Sequence, residues 1–193
     1  MRRAPGTLLP RWVLRKSRPA ILFAWIWFRF PPLQALAYSV FTGGLIAATF
    51  IDLEHYIIPD EITLGGMAAG FLCSLALPWV SWQSSLLGIA LGGGILLAIA
   101  LGYEWLTKQE GMGLGDVKLL AMLGAFLGAP AVLPVIFLAS IMGTLVGVPL
   151  MLIKRAGRKL AIPFGPFLAG AALIYLLFVD KIDPVARWYG EIF

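Results

Sequence analysis

Two acidic stretches interrupt an otherwise apolar chain: Ile51-Asp52-Leu53-Glu54-His55-Tyr56-Ile57-Ile58-Pro59-Asp60 and Gly111-Met112-Gly113-Leu114-Gly115-Asp116-Val117-Lys118. Each lies at the edge of a long hydrophobic run. A carboxylate at the end of a membrane helix is costly to desolvate and calls for a reason. Two carboxylates held close cannot both ionise cheaply, so one keeps a proton that the pair shares. The ionised partner can then take a proton from water, and the protonated one can polarise a carbonyl and protonate a leaving amine. Asp52 and Asp116 are the residues suited to that work, which is amide hydrolysis without a metal or a nucleophilic Ser or Cys.

The other reading of these aspartates is helix capping. Asp116 fits the first turn of a helix, where an anion stabilises by ~1 kcal/mol. Asp52 is expected at a helix C-terminus, where the dipole disfavours an anion, so capping accounts for one aspartate and not for both. Gly113 and Gly115 leave Asp116 without neighbouring Cβ atoms, which permits close backbone approach and unusual φ/ψ angles. Asp60, after Pro59, is expected to cap a helix starting near Glu61. Lys118 either balances the carboxylates or extends to the interface. Asp52, Glu54 and His55 are adjacent rather than convergent, and His55 is the chain's single histidine, so no metal site is expected. Pro163-Phe164-Gly165-Pro166 opens the last apolar run, with two prolines that imply a broken or kinked helix start beside a substrate groove.

The elements that carry these residues are membrane helices. Of 193 residues, 60% are hydrophobic and 13% charged, where a soluble domain has about a quarter charged. The mean hydropathy is +0.90. A helix bundle in lipid follows, an all-α polytopic fold with about 6–7 membrane segments. The apolar runs are 20–30, 33–51, 62–80, 86–103, 117–129, 131–153 and 162–179. The chain divides into a basic segment with a short apolar stretch (1–32), a membrane domain (33–179) and a tail (180–193).

With the N-terminus in the cytoplasm and seven spans, 12 of the 15 Lys and Arg residues fall inside and 3 outside, as the positive-inside rule requires. The basic clusters, Arg2 to Arg18 and Lys154 to Lys159, then read as cytoplasmic anchors rather than as contacts to nucleic acid. Seven of the ten acids, Asp52, Glu54, Asp60, Glu61, Glu104, Glu110 and Asp116, share that face. Gly65-Gly66, Gly92-Gly93-Gly94 and the Gly143/Gly147 pair read as close helix packing. The lone Cys73 reads as a small packing residue that leaves no intramolecular disulfide or cysteine-rich zinc site.

In order, IDLEHYIIPDEIT, EGMGLGDVKLLAMLGAFLG and AIPFGPFLAG resemble the prepilin peptidases, the G-x-G-D-type intramembrane aspartyl proteases. The resemblance covers roughly residues 33–179. It implies Asp52 and Asp116 as the catalytic pair. It also implies a bacterial inner-membrane enzyme, its catalytic loops cytoplasmic, that cuts the basic leader from type IV prepilins and pseudopilins. Gly113, Gly115, Lys118, Glu54, Pro59, Asp60, Pro163, Gly165 and Pro166 are the expected supporting or substrate-binding residues. Members typically carry a cytoplasmic domain with two C-x-x-C pairs that bind zinc, and many methylate the new N-terminus with S-adenosylmethionine. Residues 1–32 supply neither the cysteines nor the space, so no cofactor is expected for proteolysis, and neither zinc nor methylation is expected. The competing classes are a membrane transporter with an acidic proton relay, whose acids belong within spans rather than at their ends, and an inactive assembly component of a pilus or secretion system.

Overall fold

The computed structural model describes residues 11–108, 113–154 and 163–190. The basic residues Arg2 and Arg3, the cluster Arg155 to Lys159, Glu110, and Gly111-Met112 of the second acidic stretch lie outside the described residues. Within them the chain is all α, with seven helices and no strand: α1 (Arg11–Arg29), α2 (Pro32–His55), α3 (Asp60–Ala76), α4 (Trp82–Thr107), α5 (Leu114–Leu127), α6 (Ala129–Lys154) and α7 (Gly165–Gly190). Three of them, α2, α4 and α6, are long and apolar enough to cross a membrane, and Ala20–Arg29 and Gly165–Phe178 are shorter apolar helical stretches. This is a helical membrane bundle. Large apolar side chains stand exposed along α4 (Leu86, Leu91, Leu97, Ile99) and α6 (Phe137, Leu145, Leu152), a pattern that needs lipid rather than water around it.

Contacts divide the chain into two compact units, Met1–Val40 and Phe41–Phe193. In the first, Phe30 sits edge-on to Tyr38, ring centroids 4.9 Å apart, and Trp25 meets Phe30 at 6.3 Å. Tyr38 also accepts a hydrogen bond from Gln34 one turn earlier.

The second unit is built around α5. From Val117 to Leu127, every residue but Lys118 is buried, as befits a helix apolar on all sides. The helices α3, α4, α6 and α7 pack against it, and Phe41 of α2 stacks on its Phe126 at 4.5 Å. The closest approach is to α4. A Cβ on Gly88 would strike the backbone of Gly124, and one on Gly92 would lie 2.6 Å from the Leu120 carbonyl oxygen. Ser85 Oγ donates to the Ala125 carbonyl at 2.8 Å across the same seam. Gly88 and Gly92 are one turn apart, so together with Ser85 they form a strip of small residues on which α5 lies. Only part of the expected glycine packing is used this way. Gly92 and Gly66 face close neighbours, whereas Gly65 and Gly94 face open space.

Candidate active site

Asp52 lies on the last full turn of α2. The helix runs past it to His55, and Tyr56, at φ 56°, ends it in the left-handed conformation. Asp52 therefore lies in the C-terminal turn, where the sequence places it, on the buried face that also carries Leu45 and Ala48. Asp52 is 5% exposed, and its Oδ2 has no hydrogen-bond partner in the protein. The backbone of Gly165, the first residue of α7, lies against this carboxylate. Gly165 can be nothing larger here: a Cβ would stand 2.5 Å from Asp52 Oδ2. Pro163 lies just ahead of α7, and Pro166 occupies its first turn, where the missing N–H costs no helical hydrogen bond.

Asp116 is the third residue of α5. Gly113 takes the N-cap position with an ordinary extended backbone (φ −70°, ψ 142°), and its own N–H···O turn closes from Asp116 N to Gly113 O at 3.2 Å. Asp116 lies outside the three long apolar spans. Its carboxyl is pushed up from 3.8 to about 7, first by burial and then by the charge of Asp52. The two carboxylates thus act on each other through space although 64 positions separate them in the chain.

Ile58 lies between the two ends, and its role was not foreseen from the sequence. It is 6% exposed in a connection of exposed neighbours. A Cβ at Gly115 would come 3.2 Å from Ile58 Cβ, and one at Gly165 would come 3.0 Å from Ile58 Cδ1. Gly115 therefore makes room for a side chain, not for an unusual backbone angle. A Cβ at Gly113, by contrast, would meet only the Gly115 amide at 3.9 Å. The one sequence signal for Ile58 was its place in the Ile-Ile-Pro part of the first acidic stretch.

Asp60 does not cap α3. Pro59 occupies the N-cap position, with no side-chain capping bond, and Asp60 is the first helical residue. A proline at that cap has an extended backbone and no side-chain acceptor, so the Asp60 carboxylate is free to reach across to α5. Lys118 Nζ donates to both of its oxygens, at 2.7 and 2.8 Å. Glu54 and His55 are exposed on the last turn of α2, 3.9 Å apart. Among the described residues no group of three or more His, Cys, Asp or Glu is placed to hold a metal ion. Cys73 is half-buried in α3.

Within this helical membrane bundle, α2 and α5 bring Asp52 and Asp116 near enough for the charge of one to act on the other. Residues 39–148 match the model of the type IV leader peptidase family, and the chain belongs to that family. It is 40% identical over 159 residues to a prepilin leader peptidase/N-methyltransferase of Aeromonas hydrophila, covering 82% of this chain and 54% of that protein. Proteins of the same description from Pseudomonas aeruginosa (38% over 150 residues; 77% and 51%) and Dichelobacter nodosus (36% over 180 residues; 93% and 62%) are similar as well. The chain spans about half the length of most of the curated relatives it matches. No solved structure matches it.

Proposed function

We propose that this chain is an aspartic endopeptidase of the bacterial inner membrane that removes the basic leader from type IV prepilins and pseudopilins. The observation that carries the reading is the pairing of a buried Asp52, one oxygen without a partner, with an Asp116 whose carboxyl holds its proton up to about pH 7. Near neutral pH such a pair carries one proton, and Asp116 holds it. Asp52 is then the base. It takes a proton from water as the water oxygen bonds to the scissile carbonyl carbon, while Asp116 gives its proton to the carbonyl oxygen. Collapse of the tetrahedral intermediate breaks the C–N bond, the amine leaves with the proton held on Asp52, and Asp116 recovers its own. The Gly165 backbone, packed against the Asp52 carboxylate, limits its movement through these steps.

The Lys and Arg asymmetry supports placing this site at the cytoplasmic face. The leader meets it as an extended segment, since a helix hides its scissile bond. No metal or other cofactor takes part in the cleavage.

Processing of a prepilin-type substrate in membranes, at matched protein levels, tests the assignment. Asp52→Asn and Asp116→Asn each abolish cleavage while membrane insertion is kept. Wild-type turnover by either variant excludes the dyad. The same product, made with S-adenosylmethionine present, goes to mass spectrometry. A methyl increment on the new N-terminus shows that the chain also methylates its product.

A further inference from the structure

The Tyr56–Pro59 connection does more than join two helices. It leaves α2 four residues after Asp52 and enters α3 at Asp60. Midway, Ile58 packs beside Gly115, the residue before Asp116, and beside Gly165, the residue that lies against Asp52. One buried side chain therefore touches the backbone beside each carboxylate. Two residues further on, the connection is tied to α5 by both oxygens of Asp60 on Lys118 Nζ, two residues beyond Asp116. The Lys118 ammonium, a point charge close to both oxygens, limits the distance between the connection and α5.

We propose that this connection is a spacer that sets the separation of Asp52 and Asp116, with Ile58 as its wedge and the Asp60–Lys118 pair as its latch. The inference rests on the dyad reading above. Ile58 and the latch are positioning residues. They touch neither water nor substrate and act through Gly115, Gly165 and the start of α5. Removing the wedge leaves a gap between Gly115 and Gly165 that lets water reach the pair and loosens it. Removing the latch frees the connection to carry Ile58 out of its slot. Glu61 at the start of α3 and Glu54 and His55 at the end of α2 are exposed, and Asp60 and Lys118 neutralise each other. Asp52 thus remains the charge that governs Asp116.

The test uses the full chain in proteoliposomes with two readouts. One is kcat and KM on a leader peptide substrate. The other, read without substrate, is the infrared titration of the Asp116 carboxyl band, identified by its loss in Asp116→Asn. Ile58→Ala is expected to lower kcat about tenfold or more with little change in KM, and to move the Asp116 midpoint down by about one unit or more, because a wetter and looser pair is shifted less. Ile58→Val, which keeps the β-branch and the fold, lies between. Asp60→Lys and Lys118→Asp each lower kcat, and the double exchange restores it to within about threefold of wild type, because the two sites are coupled. The proposal is overturned by an Ile58→Ala protein with unchanged kcat and midpoint. It is equally overturned by a double exchange no better than its single variants. A chain that cleaves nothing, yet whose Asp116 midpoint falls with Ile58→Ala, keeps the spacer and rejects the peptidase reading.

Discussion

Asp116 is the residue through which pH reaches the site. Its folded carboxyl is raised from 3.8 to about 7 by burial and by Asp52. The protonated form is thus the one the fold favours. Its contribution to stability is complete below pH 3.8 and is lost as pH rises to about 7. Catalysis has the same sign: below about 7 the pair holds its one proton, and above it both groups ionise and the acid is gone. Cleavage is therefore expected to fall tenfold per unit as pH rises beyond about 7. A rate that stays flat to pH 9 contradicts the assignment of Asp116 as acid. Gly165 gives a second prediction at this scale. Gly165→Ala places a methyl against Asp52 Oδ2 and Ile58, so it lowers turnover by about a hundredfold, the cost of displacing a reacting group by an ångström. A variant with normal folding and normal turnover counts against Gly165 as the support of Asp52. The aspartates were legible from the sequence because charge is conspicuous in an apolar chain. Ile58 was not, because an isoleucine in an Ile-Ile-Pro connection looks the same whether it faces lipid or fills a slot between two glycines.

At the level of elements, the α4–α5 seam is the tightest packing in the second unit. Gly88 and Gly124 meet backbone to backbone, and backbone cannot rotate away as a side chain can. Gly124→Leu is expected to destabilise the fold by about 3 kcal/mol or more through overpacking, visible as a lower melting temperature in detergent. Gly94→Ala, which faces open space, leaves the melt where it was. An unchanged melt for Gly124→Leu shows that the two helices do not touch. Hydropathy located these helices well and their ends poorly. Apolar runs mark what lipid tolerates, while helices continue through polar turns: α4 reaches Thr107, four residues past its apolar run, and α1 begins at Arg11, well before its own. The sequence also left the partner of each glycine open. Gly92 and Gly94 differ only in which way they face, and a two-residue rotation around the helix decides that.

The molecule as a whole was the most legible level. Composition alone called for a helical bundle in lipid, and three ordered motifs resembled the family to which residues 39–148 belong. Arrangement was the harder part: nothing in the hydrophobic pattern marks α5, rather than a longer apolar helix, as the one the others surround. An apolar run reads the same whether lipid or protein covers it, and only the small residues of Ser85, Gly88 and Gly92 hint at which neighbour comes closest.

The shortness of α5 makes the protein a depth gauge. Fourteen residues rise about 21 Å, against a hydrocarbon thickness of about 30 Å. If its far end is level with its neighbours, the helix stops several ångströms short of the other surface, with Asp116 at the floor of that shortfall. A substrate segment reaching Asp116 would then have to dip, and the depth of the dip would depend on the bilayer. Reconstituted in phosphatidylcholine bilayers of increasing acyl length, the chain is expected to cleave more slowly as the membrane thickens, the mismatch costing fractions of a kcal/mol per Å. Rates indifferent to acyl length place Asp116 at the surface.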